Sequence, residues 1–340
     1  MIFCKKPFEH VEIDGRMDCF LCCPPVTNYL SVGNIENKDI NEVWNSEIAQ
    51  KIRASILDGS FKYCNLGKCT EYPKFKDKNV TEISPEYKIQ MEKMPKEIYL
   101  DYDYFCNARC IFCRDNWYVN NKKDLDLFNK IADNKILPLL KDAEIVYLNG
   151  FGEVFYSDHA KYFINKVSEL YPKITFNISS NGILCTKENM VKMGLLGKIN
   201  DLTISVHAAT AETHEKIFRV KAFDKVKENI AALSKMLVTN ELKFVQLIFV
   251  VNSVNYREMP KFAEMAEKLG VSRYYFCEYF RTETEMGKNA EDYMVFLPNN
   301  PEHKEFLEVL CDKRLTPTKK LCFSDGLLNL RNKMLAEKAV

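Results

Sequence analysis

Three cysteines, Cys106, Cys110 and Cys113, fall inside the stretch FCNARCIFCRDNW (105–117), with gaps of three and then two residues. Three thiolates suit a [4Fe–4S] cluster that leaves one iron without a protein ligand, where a small chelating molecule can bind. A structural zinc wants a closed set of four ligands, commonly in two separated pairs, so a zinc completed by a distant cysteine is the alternative reading. A second group lies near the start of the chain: Cys4, Cys19, Cys22 and Cys23, followed by Cys64 and Cys69. The remaining cysteines, Cys185, Cys277, Cys311 and Cys322, are scattered.

Thirteen cysteines in 340 residues are too many for incidental core packing and too few for a small disulfide scaffold. The first residues, MIFCKKPFEH, lack the apolar core of a signal peptide. In a reducing compartment, clustered thiols bind metal or do redox chemistry more often than they form bridges. Hydrophobic residues make up 46% and charged residues 28%, the balance of a soluble globular protein. Lys+Arg 48 against Asp+Glu 47 gives a net charge of +1, which argues against general nucleic-acid binding. The longest apolar run, FVQLIFVV, is too short to span a bilayer. These features predict a cytoplasmic protein with no membrane partner.

The elements that must position the thiols follow from periodicity. Segments 96–104, 144–150, 173–182, 201–208, 243–252 and 272–280 are rich in β-branched and aromatic residues, as buried parallel strands are. Between them, 159–171, 223–237 and 259–270 carry apolar residues at three- and four-residue spacing, with Gly270 at a C-cap position. Six strand-then-helix units predict a parallel α/β sheet, open or curled into a partial (β/α)6 barrel. Ligand sites in such folds gather at the carboxyl ends of the strands. The three-cysteine stretch directly follows the first of these strands.

That stretch resembles the radical SAM superfamily, whose motif is C-x3-C-x2-C with an aromatic before the last cysteine, here Phe112. The resemblance implies that Cys106, Cys110 and Cys113 hold a [4Fe–4S] cluster. Its open iron would bind S-adenosylmethionine, which is cleaved reductively to a 5′-deoxyadenosyl radical. Three further stretches fit. LNGFGEVF, after the second strand, resembles the family's Gly-Gly-Glu run, with Gly150, Gly152 and Glu153 placed for the methionine amine and Phe151 interrupting the glycines. SSNG, after the third, puts Ser179, Ser180 and Asn181 where relatives meet the ribose, though it also reads as an Asn-Gly turn. SVHAATAETHEKIFR, after the fourth, places Ser205 and Arg219 for the methionine carboxylate. His207 replaces the family's aspartate and His214 its tyrosine; each fits a general acid or base, or a structural role.

The first 75 residues resemble the SPASM domain, an auxiliary-cluster module that usually follows the core. The match rests on Cys4, Asp14-Gly15, the Cys-Cys-Pro step, Gly33-Asn34, Val43-Trp44-Asn45-Ser46 and the Tyr-Cys-Asn run ending in Cys69. Residues 40–56 read as one amphipathic helix with Val43, Trp44, Ile48, Ile52 and Ile56 on one face. The resemblance implies a ligand set of Cys4, Cys22, Cys64 and Cys69, with Cys23 or Cys19 as substitutes for Cys22. They would carry a second [4Fe–4S] cluster, or a zinc, since soft thiolates suit both.

The domains expected are 1–80, SPASM-like; 81–285, radical SAM core; and 286–340, a polar helical segment of unknown role. The expected activity is radical functionalisation of a C–H bond in a peptide, sugar or other metabolite, with a reductant such as flavodoxin or ferredoxin as partner. The alternative is a non-catalytic iron–sulfur or zinc protein that keeps the fold.

Overall fold

The computed structural model describes residues 2–69, 71–78, 80–113, 115–150, 152–280 and 285–338. Phe151, between the two glycines of the second stretch, and residues 281–284, near the end of the span expected for the core, lie outside them.

Among the described residues, ten strands form a mostly parallel sheet that does not close. They are β1 (His10–Ile13), β2 (Asp18–Phe20), β3 (Gly33–Asn34), β4 (Glu97–Leu100), β5 (Ile145–Leu148), β6 (Thr175–Ser180), β7 (Ile199–Ser205), β8 (Val245–Val251), β9 (Arg273–Glu278) and β10 (Leu321–Phe323). Their order is β10-β9-β8-β7-β6-β5-β4-β1-β2-β3. The six strands expected from periodicity are β4 to β9; β1, β2, β3 and β10 are additional. They are short, and their sequences give a period-2 signal only two to four residues long.

The chain divides into two compact units, one of residues 1–104, 120–152 and 157–177, the other of 105–119, 153–156 and 178–340. In the first unit, β1 pairs parallel with β4, setting His10 against Glu97 and Ile13 against Leu100. β2 and β3 continue antiparallel beyond β1. The cysteine-rich amino-terminal segment is therefore built into the sheet through β1.

The helix expected over 40–56 is two helices, Ile40–Trp44 and Glu47–Leu57. Ser46 breaks it by capping the second: its hydroxyl accepts the Ala49 N–H. Val43, Trp44, Ile52 and Ile56 are buried as expected, but the break turns Ile48 outward, and it is 37% exposed. Asn45, in the break, accepts from the Met91 N–H (2.8 Å) and from Arg53 Nη1 (3.2 Å), and donates to the Met91 carbonyl (2.9 Å). Trp44 donates its indole N–H to the Lys93 carbonyl, and the buried Arg53 guanidinium lies 4.2 Å from its ring centroid. The Trp-Asn-Ser run thus clamps segment 89–93 onto the paired helices. Gly33 has φ 148°, and a Cβ there would meet Val43 at 3.1 Å.

In the second unit, β7, β8, β9 and β10 are parallel neighbours. Helix Met259–Leu269 ends at Gly270 in the left-handed region, as its sequence predicts. The carboxyl-terminal segment is helical at His303–Leu310 and Asp325–Lys338, with β10 between. Among the described residues, no helix is long and apolar enough to cross a membrane.

Replacing Asn45 with Ala strands the Met91 amide and carbonyl and one edge of a buried guanidinium. We expect a loss of about 2–3 kcal/mol in urea unfolding, against about 1 kcal/mol for loss of the Ser46 cap in Ser46→Ala.

Candidate functional site

The three-cysteine loop lies in the second unit. Its base is closed by the Cys106 N–H on the Tyr118 carbonyl (2.9 Å) and by the Trp117 indole N–H on the Cys106 carbonyl (2.9 Å). Its middle rests on the end of helix Ala211–Phe218. The Arg109 N–H donates to the Phe218 carbonyl (3.1 Å), and the Ile111 N–H to that of Ile217 (2.9 Å). A helix leaves its last carbonyls without partners, and the loop takes two of them. A turn from the Cys113 N–H to the Cys110 carbonyl (3.1 Å) brings the third thiol back. Phe112 packs edge-on to His207 at 5.2 Å between centroids and 6.1 Å from Tyr279.

Glu153 joins the loop to the end of β6. Its backbone N–H donates to the Phe105 carbonyl. Its carboxylate accepts from the Ser180 hydroxyl (2.8 Å), the Asn181 N–H (2.6 Å) and the Phe155 N–H (3.2 Å). Burial pushes the carboxyl up to about 7 against the pull of these hydrogen bonds. Ser180 also accepts the Gly182 N–H (3.0 Å), so Glu153 and Ser180 spend their polar atoms on each other and on backbone. Asn181 donates to Asn107 Oδ1 (2.7 Å) and faces Cys106 Sγ (3.9 Å). Gly150, in the first unit, owes its identity to packing: a Cβ would stand 2.7 Å from Asp101 Cα. Gly152 is half-buried.

Ser205 ends β7, half-buried. Arg219 follows helix Ala211–Phe218 in the left-handed region, φ 56°, and is exposed. No hydrogen bond among the described residues joins either side chain to the Glu153 group. His207 and His214 lie against Phe218. Both are buried and stack on Phe218 at 5.5 and 4.3 Å, and burial lowers their pKa values to about 3 and about 4. His207 Nδ1 accepts the Val250 N–H (3.1 Å), which identifies that nitrogen as unprotonated.

In the first unit, Cys4, Cys22, Cys64 and Cys69 come near enough to act on one another electrostatically. Burial first, then the neighbouring thiols, pushes Cys4 and Cys64 up to about 11. A hydrogen bond from Cys22 favours the thiolate at Cys23 and holds it down at about 6. The Cys69 sulfur accepts the Tyr72 N–H at 3.3 Å. Cys19 stands apart: it is fully buried, and the charges acting on it are Asp14 and Asp18. Among the described residues, no three Cys, His, Asp or Glu side chains close to the spacing of a single metal ion.

One set of polar residues was missed by reading the strands as apolar. β4 and β5 alternate between half-buried and buried positions, so each buries one face only. The half-buried positions of β4 and β5 include Glu97, Tyr99 and Tyr147, and Glu12 holds the equivalent position on β1. Tyr99 and Tyr147 stack at 3.7 Å. The alternation Glu-Ile-Tyr-Leu-Asp in the sequence carried the signal. Glu97 is paired with Lys6 (2.7 Å), but Asp101 Oδ1 is buried with no hydrogen-bond partner. Burial, then Asp101, pushes Glu12 up to about 8; burial, then Asp14, pushes Asp101 up to about 6.

Residues 103–266 match the model of the radical SAM superfamily, and residues 4–70 match that of SPASM, an iron–sulfur cluster-binding domain. The chain belongs to the radical SAM superfamily. Within it, this is a member whose SPASM domain precedes the core in sequence. It is 32% identical over 190 residues to a probable GTP 3′,8-cyclase of Saccharolobus islandicus, covering 52% of this chain and 54% of that protein. It is 27% identical over 183 residues to a tungsten-containing aldehyde ferredoxin oxidoreductase cofactor-modifying protein of Pyrococcus furiosus, covering 52% and 49%. The chain spans about half the length of these curated relatives. Among solved structures, Streptococcus suis SuiB bound to precursor peptide SuiA aligns over 87% of this chain and 67% of that one, with 15% identity and a TM-score of 0.44.

Glu12 and Glu153 hold protons more tightly folded than unfolded, so their contribution is full below an ordinary carboxylate pKa and is lost as pH rises through about 7 to 8. His10, lowered to about 4 by burial, acts below pH ~6.5, the ordinary histidine value. Between pH ~6.5 and ~8 the Glu12 carboxyl lowers the unfolding midpoint as pH rises while the Cys23 thiol acts in the opposite sense, so Glu12→Gln should make the slope of midpoint against pH less negative. A slope unchanged in the variant would remove Glu12 as its source.

Proposed function

We propose that the chain is a radical SAM enzyme whose core cluster is held by Cys106, Cys110 and Cys113. The observation that carries this reading is the three-thiol loop pinned on the end of helix Ala211–Phe218, with N–H donors already aimed at the Cys106 sulfur. Three thiolates on one short loop are the donor set that a [4Fe–4S] cluster with an open iron requires. When bound, the cluster and S-adenosylmethionine supply one-electron reduction of the sulfonium, giving methionine and a 5′-deoxyadenosyl radical that takes a hydrogen atom from the substrate.

The chain's own residues supply placement. Phe112 wedges against His207 and fixes the turn between the second and third thiols. Glu153 and Ser180 hold the end of β6 against the loop. Arg219, exposed and cationic, and Ser205 are the residues assigned to the methionine carboxylate, and Glu153 to its amine. Because both Glu153 oxygens accept hydrogen bonds within the protein, an amine would reach the carboxylate through its remaining lone pairs.

Cys4, Cys64, Cys69 and one of Cys22 and Cys23 are assigned to a second [4Fe–4S] centre. Four thiolates would saturate the cluster and suit it to electron transfer. An external one-electron donor of the flavodoxin or ferredoxin type would supply the reducing equivalent. The substrate is a peptide, sugar or other metabolite with an unactivated C–H bond.

Anaerobically reconstituted protein with dithionite and S-adenosylmethionine should yield 5′-deoxyadenosine, and Ala at any of Cys106, Cys110 or Cys113 should abolish it. Undiminished cleavage in the triple variant would refute the assignment. The double variant Cys64→Ala/Cys69→Ala should lower iron by about four per chain, one cluster's content, and leave the first cluster's cofactor cleavage measurable. Zinc in place of that iron would make the amino-terminal centre a structural clip.

A further inference from the structure

Asn181 stands one residue past β6 and is buried, with every polar atom of its side chain directed. Oδ1 accepts the Ile183 N–H at 3.0 Å, and Nδ2 donates to Asn107 Oδ1 at 2.7 Å. These two bonds fix the amide's orientation, because a flip would set the oxygen against Asn107 Oδ1 and the NH2 group against an N–H. With one hydrogen on Asn107, the other faces Cys106 Sγ at 3.9 Å. The same sulfur accepts the Ala108 N–H at 3.4 Å and is 9% exposed. Asn181 cannot drift from this post, since its own backbone N–H is held by Glu153 Oε2 at 2.6 Å.

We propose that Asn181 is a positioning residue that donates an N–H···S hydrogen bond to Cys106 and so raises the reduction potential of the core cluster. This rests on the reading of Cys106 as a cluster ligand. Reduction adds one electron, and part of its charge spreads onto the coordinating sulfurs. A donor aimed at one of those sulfurs stabilises the reduced form more than the oxidised form. An amide does this without bringing a charge of its own, and the low polarity around a buried sulfur strengthens it. Asn107 is the second part of the device: by occupying one amide hydrogen it leaves the other to the thiolate. Asn181 is thereby turned toward the sulfur, away from the ribose role that its sequence position suggests.

The test uses the full-length, anaerobically reconstituted protein. The reduced-cluster electron paramagnetic resonance signal that shifts on adding S-adenosylmethionine identifies the core cluster. Its midpoint is then titrated without that cofactor. In Asn181→Leu, which keeps the volume and removes the donor, the ratio of reduced to oxidised cluster at fixed potential should fall roughly tenfold, or 59 mV for one electron. Asn181→Asp, which also adds a negative charge, should fall further. In wild-type protein carrying 15N only in asparagine side-chain amides, the reduced cluster should show a nitrogen hyperfine coupling that disappears in Asn181→Asp. Wild-type potentials in both variants at full iron content would overturn the proposal. So would absence of the coupling in wild type, a result that needs no variant to fold. A wild-type protein that loads no iron at Cys106, Cys110 and Cys113 would instead refute the cluster assignment beneath it.

Discussion

One buried carboxylate determines how the second unit's site is held. Glu153 is almost wholly removed from solvent, and it gathers the Ser180 hydroxyl and the Asn181 and Phe155 amides onto two oxygens, while its own amide reaches Phe105 at the start of the cysteine loop. Burying a carboxyl costs several kcal/mol unless such donors surround it. That cost is what makes the arrangement specific: the loop and the end of β6 cannot separate without stranding a buried acid. The thiols inherit their positions from this tie and from the two helix carbonyls that the loop occupies.

Much of this was legible in the sequence. The spacing of Cys106, Cys110 and Cys113, the parallel α/β pattern and the order of the motif-bearing turns can each be read from residue type and period. The partners of the polar atoms could not. Glu153 and Ser180 belong to successive motifs in the sequence, each suited to a ligand, yet their side chains bond each other. His207 and His214 carry the residue type of catalysis, and what the sequence does not show is that both are buried in stacks on Phe218, which lowers their pKa values. Gly150 looks like a ligand-approach glycine and is one that Asp101 requires.

The amino-terminal segment shows the same division. Its cysteine and Trp-Asn-Ser signatures are plain in the sequence, and the hydrophobic period across 40–56 marks a helix. What periodicity cannot show is that Ser46 outcompetes helix continuation by capping a new one, a local side-chain-to-backbone choice that turns Ile48 outward. Nor does a four-residue run such as His-Val-Glu-Ile announce a strand until β4 is there to pair with it. Strand signals that short are carried by the partner, and the partner lies far along the chain.

That separation has a consequence for biogenesis. β1 emerges during synthesis well before β4, and everything from Asp14 to Lys96 must leave the ribosome before the parallel pair can form. Until then His10–Ile13 has only its antiparallel neighbour β2, and its other edge is open to any extended chain. Pairing so distant in sequence carries a loop-closure cost that is met before any contact repays it. The interval also contains Cys22, Cys23, Cys64 and Cys69, so a metal held by thiols from both ends of it would shorten the effective loop before the sheet closes.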